Sequence, residues 1–138
     1  MILSSDIVRA EVTRFWNAFT SKSTDVLEDF YAHQSSVFGS LSNRPEPGRL
    51  AAKRREREYF QVDSILRYQL GTVDVVLLSD TSAVACYTFQ FHATKLSGVG
   101  KRVEEHIGNG RATQVFSYDP SDQKIRIYHE HLSTPAVG

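Results

Sequence analysis

The chain has 138 residues, enough for one domain built on a single core. Its 41% hydrophobic and 23% charged content is that of a globular protein, which excludes a disordered or low-complexity chain. Sixteen basic and sixteen acidic residues cancel, so no whole-molecule field draws it to nucleic acid or to a membrane surface.

Residues 5–20 read as a helix, with Ser4, Ser5 or Asp6 available as its cap. Val8, Val12, Phe15 and Phe19 recur at helical spacing, with Trp16 on the shoulder of the stripe, and core packing is their ordinary role. Residues 21–24 break the pattern, and Thr24 is the cap of a short second helix whose apolar positions are Val26, Leu27, Phe30 and Tyr31. A short strand over 35–39 leads into a loop over 40–48 that holds two prolines and a glycine. A third helix is expected from about 48 to 60. Between Arg44 and Glu58 the count is six basic against three acidic residues, but no aromatics interleave them, which favours a solvated helix face laced with charge pairs over a nucleic-acid contact.

Beyond Asp63 the period changes to that of strands. Residues 65–70 and 73–78 are short strands, and 83–94 is a long one with Ala83, Ala85, Tyr87, Phe89 and Phe91 on one face. Val84, Cys86, Thr88, Gln90 and His92 fall on the other. Residues 95–100 read as a turn, and 103–107 as a strand that pairs back before Gly108-Asn109-Gly110. Residues 110–133 form a hairpin around Asp119-Pro120-Ser121-Asp122, its second strand carrying Ile125, Ile127, His129 and His131 on one side and Arg126, Tyr128, Glu130 and Leu132 on the other.

Three helices followed by a strongly curved antiparallel sheet make an α+β arrangement, one domain over residues 1–138. Helices cover one face of such a sheet, and the Ile, Val and His content of the other predicts a twofold homodimer burying sheet against sheet. The first six residues have neither a basic segment nor an apolar run, and no stretch approaches the roughly 20 apolar residues of a membrane span, so a cytoplasmic location is expected. A single cysteine, Cys86, leaves no internal disulfide and fits a reducing compartment.

The order of elements, with Gly-Arg-Ala-Thr-Gln-Val-Phe at 110–116 and Ile-Arg-Ile-Tyr-His-Glu-His-Leu-Ser at 125–133, resembles the nuclear-transport-factor-2-like (cystatin-like) superfamily, and within it the SnoaL-like domains, whose last strand has a similar His-x-His-x-Ser. The resemblance implies an α+β cone with a pocket between helices and sheet, a fold that hosts isomerases, cyclases, dehydratases, epoxide hydrolases and non-enzymatic association domains. Fold does not choose among them. Laid beside ketosteroid isomerases, their catalytic tyrosine falls at Phe15 and their base at Gly39, neither of which can do that work. The chain also resembles the association (hub) domain of calcium/calmodulin-dependent kinases, whose pocket arginines fall here at Phe89, Gln114 and Leu132, so the pocket is expected to lack that positive charge. The same comparison turns Phe89, Gln114, Tyr128, Glu130 and Leu132 to the cavity and His129 and His131 to the dimer side.

On that assignment Glu130 is the candidate catalytic residue, a carboxylate among aromatics whose desolvation suits proton transfer. The alternative is an ordinary pairing of Glu130 with Arg111 or Arg126. Phe15, Tyr87, Phe89, Gln114 and Tyr128 are the candidate ligand-binding wall. His129 and His131, with His92 or His106, have metal-ligand spacing but no dedicated carboxylate, so no metal and no cofactor is expected. Cys86 has no base beside it and reads as a small filler. The expected ligand is a small, mainly apolar molecule, turned over by an isomerase, cyclase or hydratase, or bound without turnover in a ligand-binding or association module.

Overall fold

The computed structural model of the chain describes residues 1–39, 43–96 and 99–135, so Ser40, Leu41 and Ser42 of the expected loop and Ser97 and Gly98 of the expected turn lie outside the described residues. Helix α1 spans Ser5–Thr20, and Ser4 caps it by accepting the Ile7 backbone N–H at 3.2 Å. Its buried stripe is Val8, Val12, Phe15, Trp16, Ala18 and Phe19. Each large side chain there contributes about 1.5–3 kcal/mol by leaving water. Helix α2 is Thr24–Asp29, strand β1 is Tyr31–Phe38, and helix α3 is Gly48–Tyr59. Thr24 is the first helical residue of α2 and not its cap. Of its expected apolar positions, Leu27 alone is buried within the helix, Phe30 ends it and Tyr31 opens β1.

The remaining strands are β2 (Leu66–Leu70), β3 (Asp74–Leu77), β4 (Ser82–Leu96), β5 (Arg102–Asp119) and β6 (Lys124–Ser133). They form one curved sheet in the order β1-β6-β5-β4-β2, with β3 also on β4. The α+β cone stands, with one refinement: β1 runs parallel to β6, so the sheet is mixed and not wholly antiparallel. No helix among the described residues is long and apolar enough to cross a membrane.

Three strand pairs carry register irregularities, β1 against β6 between Tyr31 and Ser36 among them, and the two on β5 bear on the site. Phe89 pairs with Gly110 and Phe91 with Ile107, so Gly108 and Asn109 oppose the single Gln90 in a bulge. The Gly108-Asn109-Gly110 segment therefore does not end a strand but kinks one of 18 residues. Gly110 is needed there for space, since a Cβ would lie 2.3 Å from the Phe89 ring. On β6, Phe116 faces Ile127 while Val115 faces His129, which leaves Tyr128 as an extra residue.

That second bulge reverses the alternation. Ile125 and Ile127 point to the core side together with Glu130 and Leu132, whereas His129 and His131 share the outer face with Val115 and Thr113. The expected grouping of Ile125 and Ile127 with the histidines is thus corrected. The outer face consequently carries Cys86, Thr88, Gln90, His92, Arg111 and His131, all exposed, and is mixed in polarity where an oily surface had been expected.

Between α2 and α3, Glu56 faces Glu28, and its Oε1 is buried without a partner. Burial, then the Glu28 charge, push its carboxyl up to about 7 from 4.5. The folded chain therefore binds a proton there that the unfolded chain releases, and stability falls as pH rises from about 4.5 through 7. In urea titrations between pH 5 and 8, Glu56→Gln should flatten this decline; an unchanged slope would refute it.

Candidate functional site: a ring-floored cavity backed by a buried charge network

A cavity of about 640 Å³ opens between α1, α3 and the concave side of the sheet. That lies within the roughly 300–1,000 Å³ usual for small-molecule sites. Its floor is aromatic because the α1 stripe meets the inward face of β4. Trp16 lies 4.9 Å from Phe89 between ring centroids, Phe19 is 5.4 Å from Phe91, and Tyr59 is 5.5 Å from Phe91. Phe15 closes the end near Trp16 at 6.0 Å.

Charged residues at the mouth are largely paired with one another. Glu105 accepts from the Tyr59 hydroxyl at 2.5 Å and pairs with Lys95 at 2.9 Å. Burial and then the Glu105 bond push the Tyr59 hydroxyl well above its ordinary pKa, so it remains a donor. Arg54 meets Glu46 closely and Glu58 at 3.7 Å.

Behind the floor runs a chain of buried hydrogen bonds. The Trp16 indole N–H donates to Tyr87 at 2.9 Å, the Tyr87 hydroxyl to Gln114 Oε1 at 2.8 Å, and Gln114 Nε2 to Glu130 Oε1 at 2.7 Å. Glu130 also accepts from the Tyr31 hydroxyl, 3.0 Å from each oxygen, and from Arg55 Nη2 at 2.8 Å. Arg55 Nη1 donates to Tyr31 at 2.7 Å. Burial, ahead of any charge, holds the Tyr31 and Tyr87 hydroxyls protonated. Burial opposes the Arg55 charge, but Tyr31 and Glu130 outweigh it and raise its pKa. The network stitches α1, α3, β1, β4, β5 and β6 to one another around a fully buried carboxylate.

Of the residues singled out in the sequence, Phe15 and Phe89 line the cavity, as does Leu132. Tyr87, Gln114 and Glu130 lie behind it, buried and bonded to one another, and are not on its surface. Tyr128 is corrected outright: the β6 bulge leaves it 37% exposed and away from the lining. His129 is half-buried, its Nδ1 2.7 Å from Ser36 Oγ, and His131 is exposed with its ring 5.9 Å from Phe38. His92 lies by His106, 5.7 Å between rings, and no cluster of three metal-ligating side chains occurs among the described residues. Cys86 is exposed, near the Thr113 hydroxyl.

The partner of Glu130 is neither Arg111 nor Arg126 but Arg55, from the stretch read as a solvated helix face. Arg55 is 8% exposed. Its neighbours did carry a signal, for Gly48, Ala51, Ala52, Arg55 and Tyr59 make the buried stripe of α3 at helical spacing. A charge in the middle of such a stripe needs a buried counter-charge. Positive charge thus reaches the cavity wall from α3, where the strand positions alone had suggested none.

No family model and no curated protein matches the chain. Solved structures do, over almost its whole length. A nuclear-transport-factor-2-like protein of unknown function in nutrient uptake from Rhodospirillum rubrum superposes with a TM-score of 0.74 at 13% identity, covering 94% of this chain and 98% of that one. A candidate calcium/calmodulin-dependent protein kinase II association domain from Xanthomonas campestris gives 0.69 at 22% identity, covering 98% and 91%. A candidate scytalone dehydratase from Novosphingobium aromaticivorans gives 0.73 at 11% identity, covering 94% and 82%. At such identities the likeness is one of fold: the chain has the nuclear-transport-factor-2-like fold.

Proposed function

We propose that this domain of nuclear-transport-factor-2-like fold, of the SnoaL-like branch, binds a small, mainly apolar, ring-bearing molecule in the cone and does not use Glu130 as a reacting group. The observation that carries the reading is the place of Glu130: fully buried behind an aromatic floor, with donors on both oxygens. A general acid or base must come within hydrogen-bond reach of the proton it moves. Glu130 instead fixes Arg55 and Tyr31 from behind. Trp16 is the sole tryptophan and lines the cavity, so its fluorescence reports occupancy directly. Titration with tetralin should change that emission saturably, and Ile107→Trp, which fills the mouth, should weaken binding at least about tenfold as measured by calorimetry. Unchanged affinity in a folded Ile107→Trp variant would remove the cavity as the site.

A second reading, association, is supported by the outer face of the sheet and by the likeness to an association domain. Tyr128, Val115 and Thr113 lie there beside His129 and His131, and Arg111 supplies charge at its edge. Mixed polarity of this kind is ordinary for protein interfaces. Two copies facing each other would sediment as a homodimer at micromolar concentration, and Tyr128→Arg would shift them to monomer. A wild-type monomer throughout that range would end the association reading and leave the cavity untouched.

A further inference from the structure

We infer that the free edge of β3 pairs with β3 of a second copy of the chain, antiparallel about Val76, in a contact separate from both the cavity and the outer face. β3 lies beside β4 alone, with Asp74, Val75, Val76 and Leu77 against Cys86, Ala85, Val84 and Ala83. The Leu78 N–H donates to Ser82 O at 2.9 Å, so residues 78, 76 and 74 exchange bonds with β4, and the N–H and C=O of Val75 and Leu77 point away from it. The Val73 C=O has the same outward direction, and there Arg9 Nε meets it at 3.0 Å. Among the described residues no such partner meets the outward groups of Val75 and Leu77. An unpaired row of this kind is a template for another strand, and edges are ordinarily guarded by charge, proline or cover. β1 is covered: Val37 exchanges bonds with Glu46 at 2.8 and 3.0 Å, and Arg49 Nε meets Tyr31 O at 3.0 Å. β2 carries the exposed Arg67. Residues 75–78 are Val-Val-Leu-Leu, with Val76 60%, Leu77 47% and Leu78 60% exposed.

Register and charge choose a second copy as the occupant. About a twofold axis at Val76, Val75 stands opposite the partner's Leu77 and Leu77 opposite the partner's Val75, so outward groups meet outward groups and exchange bonds. Val76 then meets the partner's Val76 as a non-hydrogen-bonded pair, with Cα atoms about 4.5 Å apart and side chains in contact. Asp74 falls opposite the partner's Leu78, so the two acids at that position do not face each other. One residue beyond, Arg9 on the Val73 carbonyl comes beside the partner's Asp80. Asp80 is exposed and has no cation of its own among the described residues, whereas Arg9 shares only the exposed Asp6. The axis makes that opposite-charge meeting twice, which an unrelated apolar strand would not supply. A shift of one residue would set outward groups against groups already bonded to β4. The contact is short, so it belongs to the weak, exchanging class of interfaces.

The test is sedimentation of the full chain from micromolar to millimolar concentration, joined to cross-linking. Self-association should survive Tyr128→Arg, which alters the outer face alone. In that background Leu77→Pro should raise the dissociation constant at least about tenfold, because it deletes an outward N–H that β4 does not use, a change edge strands tolerate. In a Cys86→Ser chain, Val76→Cys should oxidise to a covalent dimer, since the spacing expected on the axis lies in the disulfide range of about 4.4–6.8 Å. Leu78→Cys, which faces the partner's Asp74, should cross-link several-fold less. Self-association that is lost in Tyr128→Arg and indifferent to Leu77→Pro overturns the edge contact and leaves the outer face as the interface. Equal cross-linking at 76 and 78 overturns the register about Val76. A chain monomeric up to millimolar concentration overturns the proposal and leaves the edge to a strand from a different protein. Should Leu77→Pro not fold, the comparison of positions 76 and 78 decides alone.

Discussion

Arg55→Met is expected to lower the unfolding free energy by about 3–5 kcal/mol, because it strands the Glu130 carboxylate where it has no solvent. Tyr31 and Gln114 still donate to Glu130, yet two neutral donors do not replace a guanidinium. The double variant Arg55→Met with Glu130→Leu should recover much of the loss, since removing both charges also removes the cost of burying them. Urea unfolding of the wild type, both single variants and the double variant gives the coupling energy. A coupling below about 1 kcal/mol would mean that the pair is not the electrostatic centre of the fold. Recovery in the double variant would mean that the pair specifies how α3 sits on the sheet more than it adds net stability, which a well-packed apolar pair could equal.

Phe15→Ala should cost about 3–5 kcal/mol, the usual range for deleting a buried aromatic ring. Phe15 is 2% exposed and meets Phe30 edge-on at 5.4 Å and Tyr31 at 6.0 Å, so the void is lined on several sides by rigid rings. Phe15 also lines the cavity, which gives the variant a second readout: the ligand space enlarges from its inner end. A loss below about 2 kcal/mol in urea unfolding would indicate that the ring contributes to the cavity wall and little to the core.

A polar network carries a cost in folding specificity as well. Trp16, Tyr87, Gln114 and Glu130 are all buried, and each is satisfied by the next. Leaving any one unpaired in the interior costs about 1–3 kcal/mol. Register in β4, β5 and β6 is accordingly pinned at the rows Ala85–Gln114 and Gln114–Glu130, beyond what apolar alternation alone would fix.

Much of this was open to reading in one dimension. The caps and stripe of α1, the long inward face of β4 from Ala83 to Phe91, and the Asp119 turn, where Asp119 Oδ1 accepts the Ser121 N–H at 2.9 Å, depend on neighbours a few residues away. Local order is set by local chemistry, so spacing and turn residues were enough for it. The direction of Tyr128, the burial of Arg55 and the company of Glu130 were not decided in that way. A bulge at Tyr128 depends on how β5 lies beside β6, and alternation counted along one strand cannot register an inserted residue on it. Arg55 and Glu130 are 75 residues apart, and their charges could be brought together only once α3 had packed across the sheet. The sequence by itself determined the helices, the greasy stripe of α1 and the inward face of β4; the tertiary structure alone decided which side of β6 faces the core and that a carboxylate aimed inward would be sealed behind the rings and answered by a guanidinium, because burial is a property of what packs on top.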